Sequence, residues 1–251
     1  MKSETKLTPL FLALAFSISW VFMFGMVLLD LNINSPITLL FSTLSVLGPG
    51  IAALIMLLKK MSFKEYLKYI FTFEQRFSYY AIFVVWAVWR YLLCMMVGVR
   101  VEGSSLILPL IMIPVCILTG GNEELGWRFL QTQMEKKMHS VLAALIYTVI
   151  WALWHLPLWF VPWDWRNTVF DFFIFLGLSL TNAFSLAAIF KLTNSVLLCV
   201  LAHAWMNAVF QTFSHAGDLK GIVGFCIEAI IGMIILILCD KGIIKSAKTR
   251  I

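Results

Sequence analysis

The chain has 251 residues, 61% of them hydrophobic and 13% charged, and its mean hydropathy is +0.93. Its 19 basic and 13 acidic residues are too few to wet a soluble domain of this size, which carries roughly a quarter charged residues. This excludes soluble enzymes. It excludes nucleic-acid binders as well, because the net charge of +6 is scattered through short loops and forms no patch.

Apolar runs long enough to cross a hydrocarbon core about 30 Å thick fall at about 10–29, 37–58, 79–99, 105–120, 141–161, 169–190, 195–213 and 221–239. They predict an all-α integral membrane protein, a bundle of eight transmembrane helices. The first run follows Lys2 and Lys6 but exceeds a signal-peptide core, and no A-x-A site follows it, so it reads as a retained helix. With the N-terminus in the cytosol, only Arg100, Arg166 and Lys220 fall on the opposite side and Arg90 lies inside a span. The other 15 of the 19 basic residues are cytosolic, a bias that places both termini there.

Between the second and third spans, Phe63, Leu67 and Ile70 recur at helical spacing beside Lys64 and Lys68, and Ser62 with Glu65 makes a capping-box pattern. This predicts a short amphipathic helix lying on the cytosolic interface. Pro157, Trp159, Pro162, Trp163 and Trp165 mark the outer end of the fifth span with headgroup-level anchors. The five cysteines, Cys94, Cys116, Cys199, Cys226 and Cys239, all lie in apolar runs without a C-x-x-C and read as small buried hydrophobes. No linker or internal repeat divides the chain, so residues 1–251 read as one membrane domain.

Ionisable groups at membrane depth cost at least a few kcal/mol each unless they face a bundle interior, which makes each a functional candidate. In Gly120-Gly-Asn-Glu-Glu-Leu-Gly-Trp-Arg128, Glu124 and Arg128 are four apart and can pair on one helix face, leaving Glu123 without that partner. Alternatively, Asn122 caps a new surface helix whose first turn holds both glutamates because the dipole favours them there. His155 lies within the fifth span, and His203 and Asn207 share one face of the seventh. A lone histidine in such a bundle is commonly an interhelical hydrogen-bonding group. Three polar groups at one depth say more. If the fourth helix runs on through the glycines, Glu123, His155 and His203 lie about 18, 21 and 15 Å from the cytosolic ends. Two histidines, an unpaired carboxylate and an Asn donor at one depth can activate a water and stabilise an oxyanion. Arg90 and Glu228, each about 17 Å deep by the same count, are expected to form a structural ion pair.

The three blocks run Glu123-Glu124-x-x-x-Arg128, Trp151-x-x-x-His155 and His203-x-x-x-Asn207. They resemble the CPBP family of intramembrane proteases, which includes the type II CAAX prenyl endopeptidases and bacterial Abi-like relatives. The family's second block usually opens with Phe; here it opens with Trp151. The motifs span residues 123–207, and the first three spans match only as hydrophobic helices. The resemblance implies hydrolysis of a peptide bond in a membrane cavity open to the cytosol. Carried over, Glu123 is the general base on the attacking water and His155 its partner. His203 and Asn207 bind the oxyanion, and Glu124 with Arg128 braces the site.

Two chemistries stay open. One is a metal-free glutamate mechanism, which the absence of H-E-x-x-H favours; the other uses a divalent metal such as zinc on Glu123, His155 and His203. The absence of G-x-S-G and G-x-G-D patterns sets the chain apart from rhomboid-like and presenilin-like proteases. The implied partners are a peptide or membrane-protein substrate and the lipid bilayer of a bacterial plasma membrane, with no nucleic acid. The alternative is a non-catalytic peptide-binding, immunity or scaffold protein of the same fold. A transporter comes third, since the polar residues cluster at one depth and no inverted repeat is present.

Overall fold

The computed structural model describes residues 7–32, 35–71, 76–161, 169–214 and 219–247. In lipid every backbone polar group must be satisfied within the chain, and long apolar segments do this as helices. Ten α-helices carry the described residues: α1 (Leu7–Leu28), α2 (Pro36–Leu57), α3 (Phe63–Ile70), α4 (Phe77–Val97), α5 (Leu108–Thr119), α6 (Glu124–Glu135), α7 (Ser140–Trp154), α8 (Val169–Thr193), α9 (Val196–Phe210) and α10 (Leu219–Asp240). Two short strands, β1 (Val99–Arg100) and β2 (Phe213–Ser214), pair antiparallel and tie the end of α4 to the end of α9.

Among the described residues six stretches are long and apolar enough to cross a membrane: 7–28, 36–57, 77–97, 140–160, 171–193 and 223–240. Helices α5 and α6 make a seventh if their 45° bend is counted within one span, and α9 is apolar but only 15 residues long. The eight expected runs therefore resolve into six full-length segments, one bent pair and one short helix. Large apolar side chains such as Val21, Val85, Met96 and Ile111 face outward, while Arg90, Glu123, Glu124, Arg128, His203 and Glu228 are buried. A soluble protein has the opposite distribution.

Ser35 caps α2 by accepting from Ile37 N–H, with Pro36 at the first helical position. The predicted helix at 63–70 is present, with both halves of the capping box formed: Ser62 N–H donates to Glu65 at 2.7 Å and Glu65 N–H to Ser62 Oγ at 3.3 Å. Tyr66, Tyr69 and Ile70 pack into the core, while Phe63 and Leu67 are exposed. Of the expected aromatic anchors, Pro157 is buried and Trp159 half-buried in a 3-10 turn at Leu156–Phe160. Pro162, Trp163 and Trp165 lie outside the described residues. All five cysteines are unpaired, and Cys226 alone among them is exposed.

Arg90 and Glu228 meet at 2.6 Å. Asn182 accepts from Arg90 at 3.0 Å, and Ser185 and Trp86 donate to Glu228 at 2.9 and 3.3 Å. This network joins α4, α8 and α10, with no motif residue in it. Beyond the C-terminal end of α6, Lys191 reaches Glu135 at 2.7 Å, Ser140 at 2.8 Å and Asp240 at 3.2 Å, fastening α6, α7, α8 and α10 together.

Candidate active site

The first motif block sits at a break in the helix. Gly120 ends α5, a 3-10 turn covers Gly121–Glu123, and α6 starts at Glu124. The fourth helix thus does not run straight through the glycines. A new helix does begin here, as the capping alternative expected, but not at the surface: Glu123 is 3% exposed and Glu124 0%. The absence of a side chain at Gly126 explains the burial. A Cβ there would stand 2.2 Å from the Pro49 carbonyl, so the glycine lets α2 lie directly against α6.

Glu124 pairs with Arg128, Oε2 to Nε at 2.7 Å, as the spacing predicts. The Arg128 guanidinium also lies over the Tyr147 ring at 5.1 Å and donates to Gln131. Spacing alone did not reveal the second partner: Glu124 Oε1 is 2.9 Å from His203 Nδ1. A carboxylate paired with Arg128 only accepts, which assigns the hydrogen to Nδ1 and turns Nε2 to the opposite side.

Glu123 is not the unpartnered carboxylate that the sequence suggests. Its Oε2 accepts from Trp151 Nε1 at 2.6 Å and from Trp127 Nε1 at 3.1 Å. His155 is the residue at which α7 ends, rather than a mid-helix group. Its Nδ1 is 2.8 Å from the Trp151 carbonyl, which can only accept, so Nδ1 is the protonated nitrogen of the neutral ring. The ring also meets Trp154 and Phe175 edge to face, at 4.6 and 4.9 Å. The Trp151 ring touches both histidines, at 5.5 Å to His155 and 5.4 Å to His203.

Asn207 follows His203 by one turn of α9. A Cβ placed on Gly120 would lie 2.2 Å from Asn207 Nδ2 and 3.4 Å from His203 Nε2, so both nitrogens converge on a bare Cα. Gly120→Ala should therefore leave the fold near native, because the end of the Asn207 side chain can swing away. The displaced donor should lower hydrolysis by about 10²–10³, the usual loss for one oxyanion donor. Turnover and the thermal unfolding midpoint, measured on the same preparation, check this; a full-rate Gly120→Ala variant would contradict it.

The structure thus gathers Glu123, Glu124, Arg128, His203 and Asn207, and connects His155 to them through Trp151. A cavity of about 210 Å³ lies apart from these residues, between α1, α2 and α6, lined by Leu7, Met56, Lys60, Phe129 and Lys136 among others. Among the described residues no three His, Cys, Asp or Glu side chains converge as a metal ion requires. Glu123, His155 and His203 do not form the ligand set considered for zinc, and the Trp151 ring is in contact with both histidines. Sequence reasoning missed the two indole donors and the Gly120 notch. The i, i+4 spacing of Glu123 and Trp127 was the available signal for the first of these.

A buried carboxylate and two histidines thus come together within an all-helical integral membrane protein. Residues 105–209 match the family model described as Type II CAAX prenyl endopeptidase Rce1-like, a match that supports membership of the CPBP family of CAAX-type intramembrane proteases. The matched segment runs from just before α5 to the last turn of α9 and encloses every motif residue. No curated protein matches the chain.

Proposed function

We propose that the protein is an intramembrane endopeptidase that hydrolyses a peptide bond with a water activated by Glu123 and His155. Glu123 takes a proton from the water, and the resulting hydroxide attacks the scissile carbonyl carbon. The neutral His155 ring, protonated at Nδ1, offers the Nε2 lone pair to that water. Charge developing on the carbonyl oxygen is met by Asn207 Nδ2–H and by protonated His203 Nε2–H, whose positive charge Glu124 balances. Collapse of the tetrahedral adduct breaks the C–N bond, and the leaving amine recovers the proton from Glu123.

The observation that carries this reading is the convergence of His203 Nε2 and Asn207 Nδ2 on the bare Cα of Gly120, three residues from the buried carboxylate of Glu123. No step is routed through a metal. Substrates of this class are peptides or membrane proteins presented within the bilayer of a bacterial plasma membrane. The test compares membrane peptidomes of cells carrying the native protein and a Glu123→Ala variant. Peptides present only with the native protein support the reading; identical peptidomes overturn it in favour of a non-catalytic peptide binder.

The same proposal places all 251 residues in one domain of eight membrane segments, counting the α5–α6 pair and α9, with α3 on the cytosolic interface and both termini in the cytosol. With Arg90 and Arg128 inside membrane segments, fourteen of the 19 basic residues then face the cytosol. Membrane-impermeant labelling of single cysteines should therefore modify residues in the 162–168 loop from outside and residues in the tails only after permeabilisation. Labelling of either tail from outside contradicts this topology.

A further inference from the structure

We propose that Trp127 and Trp151 form a two-indole clamp that selects which oxygen of Glu123 acts as base, and that Trp151 is the positioning residue shared by Glu123 and His155. The inference rests on Glu123 being the base, as argued above. Trp127 lies one turn after Glu123 on α6, and Trp151 comes from α7. Both indoles donate to the same oxygen, Oε2, at 3.1 and 2.6 Å, and neither donates to Oε1. An indole N–H only donates, and a bond from it to a buried carboxylate is charge-assisted. Two such donors from different helices fix the rotation of the carboxylate and leave Oε1 to take the proton from water.

The donors are themselves immobilised. Trp127 packs against Phe11 at 6.1 Å, Tyr147 at 5.8 Å and Trp154 at 5.7 Å, and Trp151 stacks on Tyr147 at 5.9 Å with the planes 10° apart. Trp151 acts on His155 by a separate route, its carbonyl taking the Nδ1 hydrogen. One residue therefore sets the direction of the base and the tautomer of its partner. A Phe at position 151, the usual opening of this motif block, keeps the ring, its stacking and the main-chain bond to His155. It lacks only the shorter indole bond, so Trp151→Phe isolates the clamp from the packing.

The kinetic test uses the full-length protein in lipid nanodiscs with a fluorogenic farnesylated CAAX peptide, the substrate type in the name of the matched family. Trp151→Phe should lower kcat about tenfold or more, as loss of one hydrogen bond to a charged group does, with KM within about twofold. Trp127→Phe, losing the longer bond, should lower it less. Indole N–H resonances in ¹⁵N-labelled protein give the second readout. Glu123→Gln should move the Trp127 and Trp151 signals and leave that of Trp205, which donates to the Ala87 carbonyl at 2.8 Å, in place. Native kcat in Trp151→Phe alongside an inactive Glu123→Gln overturns the clamp and leaves the proposed function standing. An active Glu123→Gln overturns the function itself. The indole signals decide the clamp even where the peptide is not cleaved: if neither moves, Trp127 and Trp151 do not hold the carboxylate.

Discussion

Glu123→Gln is expected to slow peptide hydrolysis by ~10²–10⁴, the range for losing a general base, with expression and unfolding midpoint close to native. Gln has the volume of Glu, and its carbonyl oxygen can still accept an indole N–H at the Oε2 position. The surroundings of the side chain, Trp127, Trp151 and the 3-10 turn at Gly121–Glu123, keep their packing. What disappears is the lone pair that takes a proton from water. Initial rates and thermal unfolding in the same nanodisc preparation separate the two effects. A Glu123→Gln variant inactive only because it fails to fold would remove the support for a base.

Glu124→Gln should behave differently. Glu124 faces two buried partners, Arg128 at 2.7 Å and His203 at 2.9 Å, and both it and Arg128 are 0% exposed. Neutralising the carboxylate strands the guanidinium in low dielectric, at a cost of ~3–5 kcal/mol, and Arg128→Met should cost about as much by stranding the carboxylate. The double variant should lose less stability than the sum of the single changes, because neither charge is left alone. The bond to His203 adds a second consequence: Glu124→Gln removes the charge that balances a protonated His203, and Arg128→Met does not restore it. Stability should therefore be partly rescued in the double variant while activity is not. Unfolding midpoints of the four proteins, with their rates, form the cycle that tests this.

What was legible in the sequence followed from local spacing and from charge in an apolar setting. Glu124 and Arg128 are one helical turn apart, so their pairing follows from geometry that holds wherever the helix lies. Arg90 and Glu228 are 138 residues apart but equally deep, and a charge in lipid seeks another. The depth count for Glu123 assumed a straight helix, and the 45° bend at Gly120–Gly121 shows why it was only approximate. A glycine pair is compatible with either path until the packing partner is known, and here that partner is α9, with Asn207 against Gly120 and Val200 against Gly121. The Glu124–His203 contact bridges 79 residues between helices and leaves no local pattern. The indole donors were hidden for another reason: tryptophan in an apolar run reads as bulk, and its one polar atom shows only when an acceptor is placed beside it. The packing of Tyr66 and Tyr69 of α3 against the bundle likewise left no mark in the sequence, because both are less apolar than Phe63 and Leu67.

The most direct test of the account compares the two adjacent glutamates in one experiment: initial hydrolysis rate and unfolding midpoint of Glu123→Gln and Glu124→Gln beside the native protein. A well-folded, inactive Glu123→Gln together with a destabilised Glu124→Gln is the predicted result. A well-folded, inactive Glu124→Gln beside an active Glu123→Gln would contradict it, assigning the base to the carboxylate that the structure shows held between Arg128 and His203.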